Sequence, residues 1–237
     1  MSSLSTFPAS AGQDVFTSSS TASQELGAKM VIGSREFRYV KAGAAALVPG
    51  KLYQSAAEDT SEQDLTPTAT AIGATSLTTS TTVTVTENQY AGGWVIVTVT
   101  PGQGYQYKIK SHPAATAAAL TLQLEDPILV ALTTNSRIDL VANPYSAVII
   151  NPTTLSAAPI GAAVYPVAAN EYGWVQVRGP AALLADGANA VGADLVASNG
   201  VAGAVEDAAS PGAQPLVGVA MTGCADAECG AVYLMLS

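Results

Sequence analysis

Short segments in the middle of the chain alternate in the way that half-buried β-strands do. Residues 81–86 (TTVTVT) and 94–100 (WVIVTVT) are rich in β-branched side chains, while residues 105–110 (YQYKIK) and 120–125 (LTLQLE) alternate polar with apolar side chains. Successive side chains of a strand point to opposite faces of a sheet, so a two-residue period indicates strands rather than helices. Residues 136–141 (SRIDLV) predict one more strand of the same kind.

Glycine-rich segments separate these predicted strands. Residues 88–93 (NQYAGG) and 101–104 (PGQG) have the composition of tight turns, in which glycine adopts a positive φ without steric cost. A meander of antiparallel strands needs such turns between its members. The sequence therefore predicts a β domain of about five or six strands over residues 67–150.

The last third of the chain repeats the pattern of short apolar runs separated by turns. These runs predict strands at 162–167, 172–178, 195–197, 201–205, 216–221 and 231–236. Residues 181–190 (AALLADGANA) have a short helix as their alternative, which Pro180 and Gly187 limit to a turn or two. We expect a second small β domain over residues 151–237.

The first third of the chain has a different character. Residues 1–28 are rich in Ser, Thr, Ala and Gly without periodicity, which predicts an extended N-terminal arm over residues 1–34. Residues 35–66 read as a strand pair with a turn at Pro49, followed by a linker. The predicted fold is mainly β, with this arm preceding two small antiparallel β domains of sandwich or barrel type.

Charge and hydropathy exclude several classes of protein. Charged residues make up 11% of the chain, against about a quarter in an ordinary soluble domain. The formal net charge of −9 argues against a nucleic-acid-binding protein, which needs a positive surface. No run of about 18 apolar residues predicts a membrane-spanning helix, and residues 1–20 do not resemble a secretion signal, so we expect synthesis in a cytoplasm.

The few basic residues are unevenly distributed. Residues 146–237 hold seven acids and one base, Arg178. Residues 29–51 instead hold one acid, Glu36, and five bases, namely Lys29, Arg35, Arg38, Lys41 and Lys51. This asymmetry predicts that the basic segment docks on an acidic surface. A scatter of solvated charges is the alternative reading.

No constellation of residues in the sequence predicts catalysis or a bound cofactor. The single histidine, His112, precedes a proline in an expected loop, where a solvated side chain is the commoner role. One histidine and two cysteines, Cys224 and Cys229, argue against a four-ligand zinc site and favour two thiols in a turn. Calcium is compatible with Asp186 and Asn189, or with Asp226 and Glu228, without being indicated. We therefore expect no enzyme, no cofactor and no metal.

The two tryptophans, Trp94 and Trp174, each follow a glycine at the start of a predicted strand. The simpler interpretation gives each β domain one tryptophan in its core. An aromatic anchor at a subunit interface is the alternative.

Two stretches of the chain resemble structural proteins of tailed bacteriophages. Residues 172–209 (YGWVQVRGPAALLADGANAVGADLVASNGVAGAVEDAA), with the later PLVGVAM and AVYLMLS, resemble capsid decoration (cement) proteins. The middle stretch, with ENQYAGGWVIVTVTPGQGYQYKIKSHPAA, LTLQLEDPILVAL and NPYSAVI, resembles domains of virion proteins of marine and cyanobacterial podoviruses and siphoviruses. Together the stretches cover residues 87–237.

The resemblance implies a virion protein on the outer surface of an icosahedral phage head, made in the cytoplasm of the host bacterium. Its partner would be the major capsid protein, and it would form a homo-oligomer at capsomer junctions, with a trimer favoured and a dimer possible. Residues expected to contact the capsid are Arg35, Phe37, Arg38, Tyr39, Lys41, Lys51 and Tyr53. A tail or head-fibre component that binds the host surface or glycans is the alternative.

Overall fold

The prediction of a mainly β protein is confirmed. The computed structural model describes residues 6–8, 14–208 and 214–236, and strands make up 44% of the structure, without an α-helix in the described part of the chain. The strands are β1 Thr6–Pro8, β2 Lys29–Ile32, β3 Arg35–Lys41, β4 Leu52–Gln54, β5 Ser76–Ser80, β6 Thr84–Val85, β7 Trp94–Val99, β8 Gln106–Ser111, β9 Ala115–Thr116, β10 Ala119–Leu124, β11 Arg137–Val141, β12 Ile149–Ile150, β13 Pro159–Ala163, β14 Tyr172–Leu184, β15 Asp194–Ala197, β16 Val205–Asp207, β17 Leu216–Ala220 and β18 Cys229–Met235.

The chain forms two compact units whose boundaries differ from the predicted division. Unit 1 combines residues 1–57 with residues 144–237, and unit 2 consists of residues 58–143 between them. The sequence prediction instead divided the chain in order, into 1–34, 35–66, 67–150 and 151–237. Strands β3 and β4 of the first third pair with β14 and β13 of the last third, which a division in chain order does not anticipate.

Unit 1 is a curled sheet in which β14 is the central strand. The order is β1-β2-β3-β14-β18-β17-β15-β16, and β4 and β12 join it through β13, which pairs with β14. These pairings are antiparallel except β1 with β2. Beyond the end of β14, Ala185 bridges to Val205 of β16. The sheet therefore curls back toward its own central strand.

The long strand β14 changes partners at a bulge near Gly179. Its first half pairs with β3, and its second half, from Arg178 to Leu184, pairs with β18. Gly179 has φ +87°, and a Cβ atom there would lie 2.4 Å from the backbone oxygen of Ser34. A side chain would strain the backbone and collide with the β2–β3 turn, so glycine is required at this position.

Unit 1 has three apolar clusters. The largest buried side chain, Trp174, packs with Phe37, Tyr39 and Met30 between the sheet and residues 15–28. A second cluster surrounds Val40 and Tyr53, and a third surrounds Leu183 and Leu234. The prediction that Trp174 is a core residue is confirmed.

Unit 2 is built on an antiparallel sheet with the order β11-β7-β8-β10-β5, beside the short pair β6-β9. Its core is formed by alternate residues of these strands, including Val95, Tyr107, Ile109 and Leu122. Trp94, at the start of β7, is only partly buried. The strands predicted at 94–100, 105–110, 120–125 and 136–141 are confirmed within about two residues at each end.

Three predicted strands differ in position from the observed ones. Of residues 81–86, only Thr84–Val85 form a strand, although the Thr81 amide donates to the Ala118 carbonyl and the Ala117 amide donates to the Val83 carbonyl. The strand predicted at 162–167 lies at Pro159–Ala163. Residues 201–204 form a turn, with Gly203 at φ +75°, and the strand begins only at Val205.

The helical alternative for residues 181–190 is also wrong. Ala181 to Leu184 continue β14 and pair with β18, and the Leu183 side chain is fully buried. Partner strands from distant parts of the chain override the local preference of an Ala-Leu segment for a helix. Of the predicted arm over residues 1–34, residues 1–5 and 9–13 lie outside the described residues, whereas Val15, Ala28 and Met30 are buried in unit 1.

Candidate interaction surface

The hairpin of β2 and β3 carries most of the residues predicted to contact a partner, but its aromatic side chains point inward. Phe37 and Tyr39 are 0% and 2% exposed in the core of unit 1. Tyr53 on β4 is 1% exposed, its hydroxyl bonds to the backbone of Val48, and burial raises its pKa. The prediction that these three side chains anchor a partner is therefore wrong, because the core of unit 1 already uses them.

The cationic side chains of the hairpin are each partly buried. The Arg35 guanidinium lies 5.3 Å from the centre of the Phe37 ring, and Lys41 Nζ lies 5.5 Å from the centre of the Tyr172 ring. Both are cation–π contacts. Arg38 donates to the Gly27 carbonyl at 3.1 Å.

Glu36 is surrounded by cations. Lys29 Nζ lies 2.6 Å from Glu36 Oε2, and this contact is the main reason that the pKa of Glu36 is lowered, with further contributions from Arg178 and Arg38. Arg178 reaches this group because β14 pairs Arg178 with Glu36, although the two are distant in the sequence. We call Lys29, Arg35, Arg38 and Lys41 the basic hairpin group. Lys51, on the loop before β4, is partly exposed and separate from that group.

A pocket of about 460 Å³ opens beside the hairpin in unit 1. Its lining contains one charged side chain, Arg35, and one thiol, Cys229, which is exposed. The remaining lining is small or apolar apart from Gln176, and consists of Phe16, Pro49, Gly50, Ala163, Val164, Pro180, Ala181, Ala182, Gly230 and Ala231. No carboxylate lines this pocket, although the chain as a whole is acidic.

The outward side of β14 and β18 continues this apolar lining. Cross-strand pairs place Arg178 beside Met235, Pro180 beside Tyr233, Ala182 beside Ala231, and Leu184 beside Cys229. Met235 is 53% exposed and Tyr233 is 38% exposed. We call these eight residues the β14–β18 face. Sequence analysis missed it because consecutive residues of β18 are apolar, so their pattern did not show which ones point outward.

His112 is not a solvated loop residue as predicted. It is 3% exposed in unit 2, where its Nε2 accepts a hydrogen bond from the Tyr90 amide at 2.9 Å and its Nδ1 lies 2.9 Å from the Pro113 carbonyl oxygen. Nε2 must be unprotonated to accept, which places the ring proton on Nδ1. His112 thus holds the turn before β7 in place.

Two of the residues considered for calcium, Asp186 and Asp226, accept hydrogen bonds from other loops. Asp186 accepts a hydrogen bond from the Ser198 hydroxyl at 2.5 Å, and Asp226 accepts one from the Gly187 amide at 2.8 Å. Within residues 14–208 and 214–236, no group of three or more His, Cys, Asp or Glu side chains is arranged to hold a metal ion. Cys224 and Cys229 are both free thiols. Among the described residues, no helix has the length and apolar character that a membrane span requires.

Comparison of the chain with protein-family models, with curated proteins and with solved structures finds no match.

Proposed function

We propose that the protein is a structural virion protein, a capsid decoration protein that binds the outer surface of an icosahedral phage head and stabilises the junctions between capsomers. The observation that carries this proposal is the basic hairpin group. Four cations lie on one hairpin of a chain whose net charge is −9. Lys29 and Arg38 are opposite each other on one face of the hairpin, and Arg35 and Lys41 lie on the other face. Such a local reversal of charge fits contact with an acidic surface, for which the major capsid protein is the proposed partner.

The pocket beside the hairpin supports the same proposal. Arg35 belongs both to the basic hairpin group and to the lining of the pocket, so a cation and an uncharged, mostly apolar concavity are adjacent. Interfaces between proteins commonly combine an apolar centre with polar residues at the rim. A shell loop with an acidic residue beside small apolar ones would be complementary to this arrangement.

The finer architecture belongs to the same proposal. We infer two small barrel- or sandwich-like units, supported in unit 1 by the bridge between Ala185 and Val205 that returns the sheet toward β14. Of the arm predicted over residues 1–34, we propose shell contact only for exposed residues, because Val15, Ala28 and Met30 are buried in unit 1. In this arm, β1 pairs with β2 at the edge of the sheet of unit 1.

The test is to mix the purified protein with undecorated capsids and to count bound copies by cryo-electron microscopy. Saturable occupancy of fixed lattice positions is expected, and the double substitution Arg35→Glu with Arg38→Glu should abolish it. Lys110→Glu, an exposed charge reversal in unit 2, is the matched control and should load normally. Unchanged occupancy of the double variant would contradict the assignment to the hairpin, and binding to cells or glycans instead of shells would favour the tail or head-fibre alternative.

A further inference from the structure

The β14–β18 face extends across the neighbouring strands of the same sheet. Val219 of β17 pairs with Tyr233, and Asp194 of β15 pairs with Val219. One row of outward side chains therefore runs from Pro180 through Tyr233 and Val219 to Asp194. The next row begins with Arg178 and Met235.

This extended face has one charge at each side. Arg178 lies on β14 and Asp194 lies on β15, and both side chains are exposed. Arg178 has Glu36 as its cross-strand neighbour on β3, and Lys29 makes the close ion pair to that carboxylate. The face thus presents two exposed charges of opposite sign, Arg178 and Asp194, separated by apolar side chains.

We propose that a second copy of this chain covers this face, in a contact related by a two-fold axis. In such a contact the same surface meets itself, so residue i of one copy meets residue j of the other and the reverse. Three strand spacings, about 14 Å, separate the strands of Arg178 and Asp194. A two-fold axis in the plane of the face, passing between Tyr233 and Val219, brings Arg178 of each copy to Asp194 of the other.

Charge complementarity favours a second copy of this chain as the partner at this face. The chain is acidic, so most of its surfaces repel a second copy, whereas here each acid meets a base and the centre is apolar. The exposed Tyr233 and Met235 are of the residue types that are enriched at the centres of interfaces. Neither charge belongs to the basic hairpin group, although Arg178 is the cross-strand neighbour of Glu36.

The size of the face sets the expected strength. From strand spacing and rise, the four strands cover about 20 Å by 20 Å of sheet, about 400 Å², which is below the roughly 800 Å² per partner of a stable complex. We therefore expect a dimer that forms and dissociates with concentration in solution. Many copies held close together would strengthen it.

The experiment is sedimentation of the full-length protein over a range of concentrations, without capsids. The wild type should approach a dimer at the highest soluble concentration. Arg178→Asp and Asp194→Arg should each weaken the dimer about tenfold or more, because each reversal places like charges together twice in a two-fold contact. The two substitutions combined should restore dimerisation, and this recovery excludes misfolding as the cause of the single effects.

Control variants complete the test. Tyr233→Glu should also dissociate the dimer, whereas Ile72→Glu, at a 68% exposed residue of unit 2, should leave it unchanged. A wild type that is monomeric at every concentration, a trimeric mass, or a dimer insensitive to Arg178→Asp would overturn the proposal. Because no shell is present, each of these results is independent of whether the protein decorates capsids.

Discussion

Gly179 in unit 1 combines a positive φ with a close backbone contact, and replacing it with alanine should destabilise the unit severely. Two effects add. A residue other than glycine at φ +87° costs roughly 1–2 kcal/mol in backbone strain. The new Cβ atom would also lie 2.4 Å from the backbone oxygen of Ser34, which must move, and overpacking of this kind costs about 1–3 kcal/mol. The loss of flexibility in the unfolded chain offsets about 0.4–1 kcal/mol.

Gly187→Ala is the matched control, because Gly187 has φ +77° and no atom within 4 Å of the position a Cβ would occupy. It bears the strain alone, so we expect a loss of about 1 kcal/mol for Gly187→Ala and about 2–4 kcal/mol for Gly179→Ala. Urea unfolding followed by fluorescence measures both. In a Trp94→Phe background, the signal comes from Trp174 in the core of unit 1. Equal losses in the two variants would refute the role assigned to the contact with Ser34.

Two predictions concern buried groups of unit 2. Burial raises the pKa of Glu62, which accepts a hydrogen bond from Thr81 and is 0% exposed. Its stabilising contribution is therefore complete below the unfolded pKa of about 4.5 and is lost as pH rises through the folded pKa, so Glu62→Gln should raise the urea midpoint at pH 8 more than at pH 4. Exposed Glu87→Gln is the control, and a Glu62→Gln effect that does not depend on pH would contradict this reasoning. His112→Phe should cost about 1–3 kcal/mol by leaving the buried Tyr90 amide without an acceptor, whereas His112→Gln, whose side-chain oxygen can still accept, should cost less. Urea unfolding followed by Trp94 fluorescence distinguishes the two variants, and equal losses would exclude the hydrogen bond as the cause.

Local patterns in the sequence were sufficient to predict four strands of unit 2. Strands β7, β8, β10 and β11 alternate with a buried residue at every second position, and that period is visible without knowledge of any partner strand. The alternating Thr and Val of residues 81–86 nevertheless overstated the length of β6, which covers only Thr84–Val85.

The pairing of distant segments could not be predicted in the same way. The central position of β14 depends on partners about 140 residues earlier, in β3, and about 50 residues later, in β18. Nothing in the local pattern indicates which strands meet, so the sequence did not reveal that Arg178 joins Glu36. Phe37, Tyr39 and Tyr53 were wrongly assigned to a contact surface for the same reason, because the strands that cover them could not be predicted. Aromatic residues beside cations are compatible with a contact surface as well as with a core.

The exposure of alternate residues of β18 distinguishes those that the core of unit 1 needs from those that it does not. On β18, Val232 and Leu234 point into the core and are at most 1% exposed, whereas Tyr233 and Met235 point outward between them. The core of unit 1 would be equally well formed with polar side chains at those two outward positions, because an outward side chain of a sheet contributes little to the packing beneath it. Tyr and Met at such positions are therefore not explained by folding, and this excess apolar surface is the strongest physical reason to expect that something covers the face.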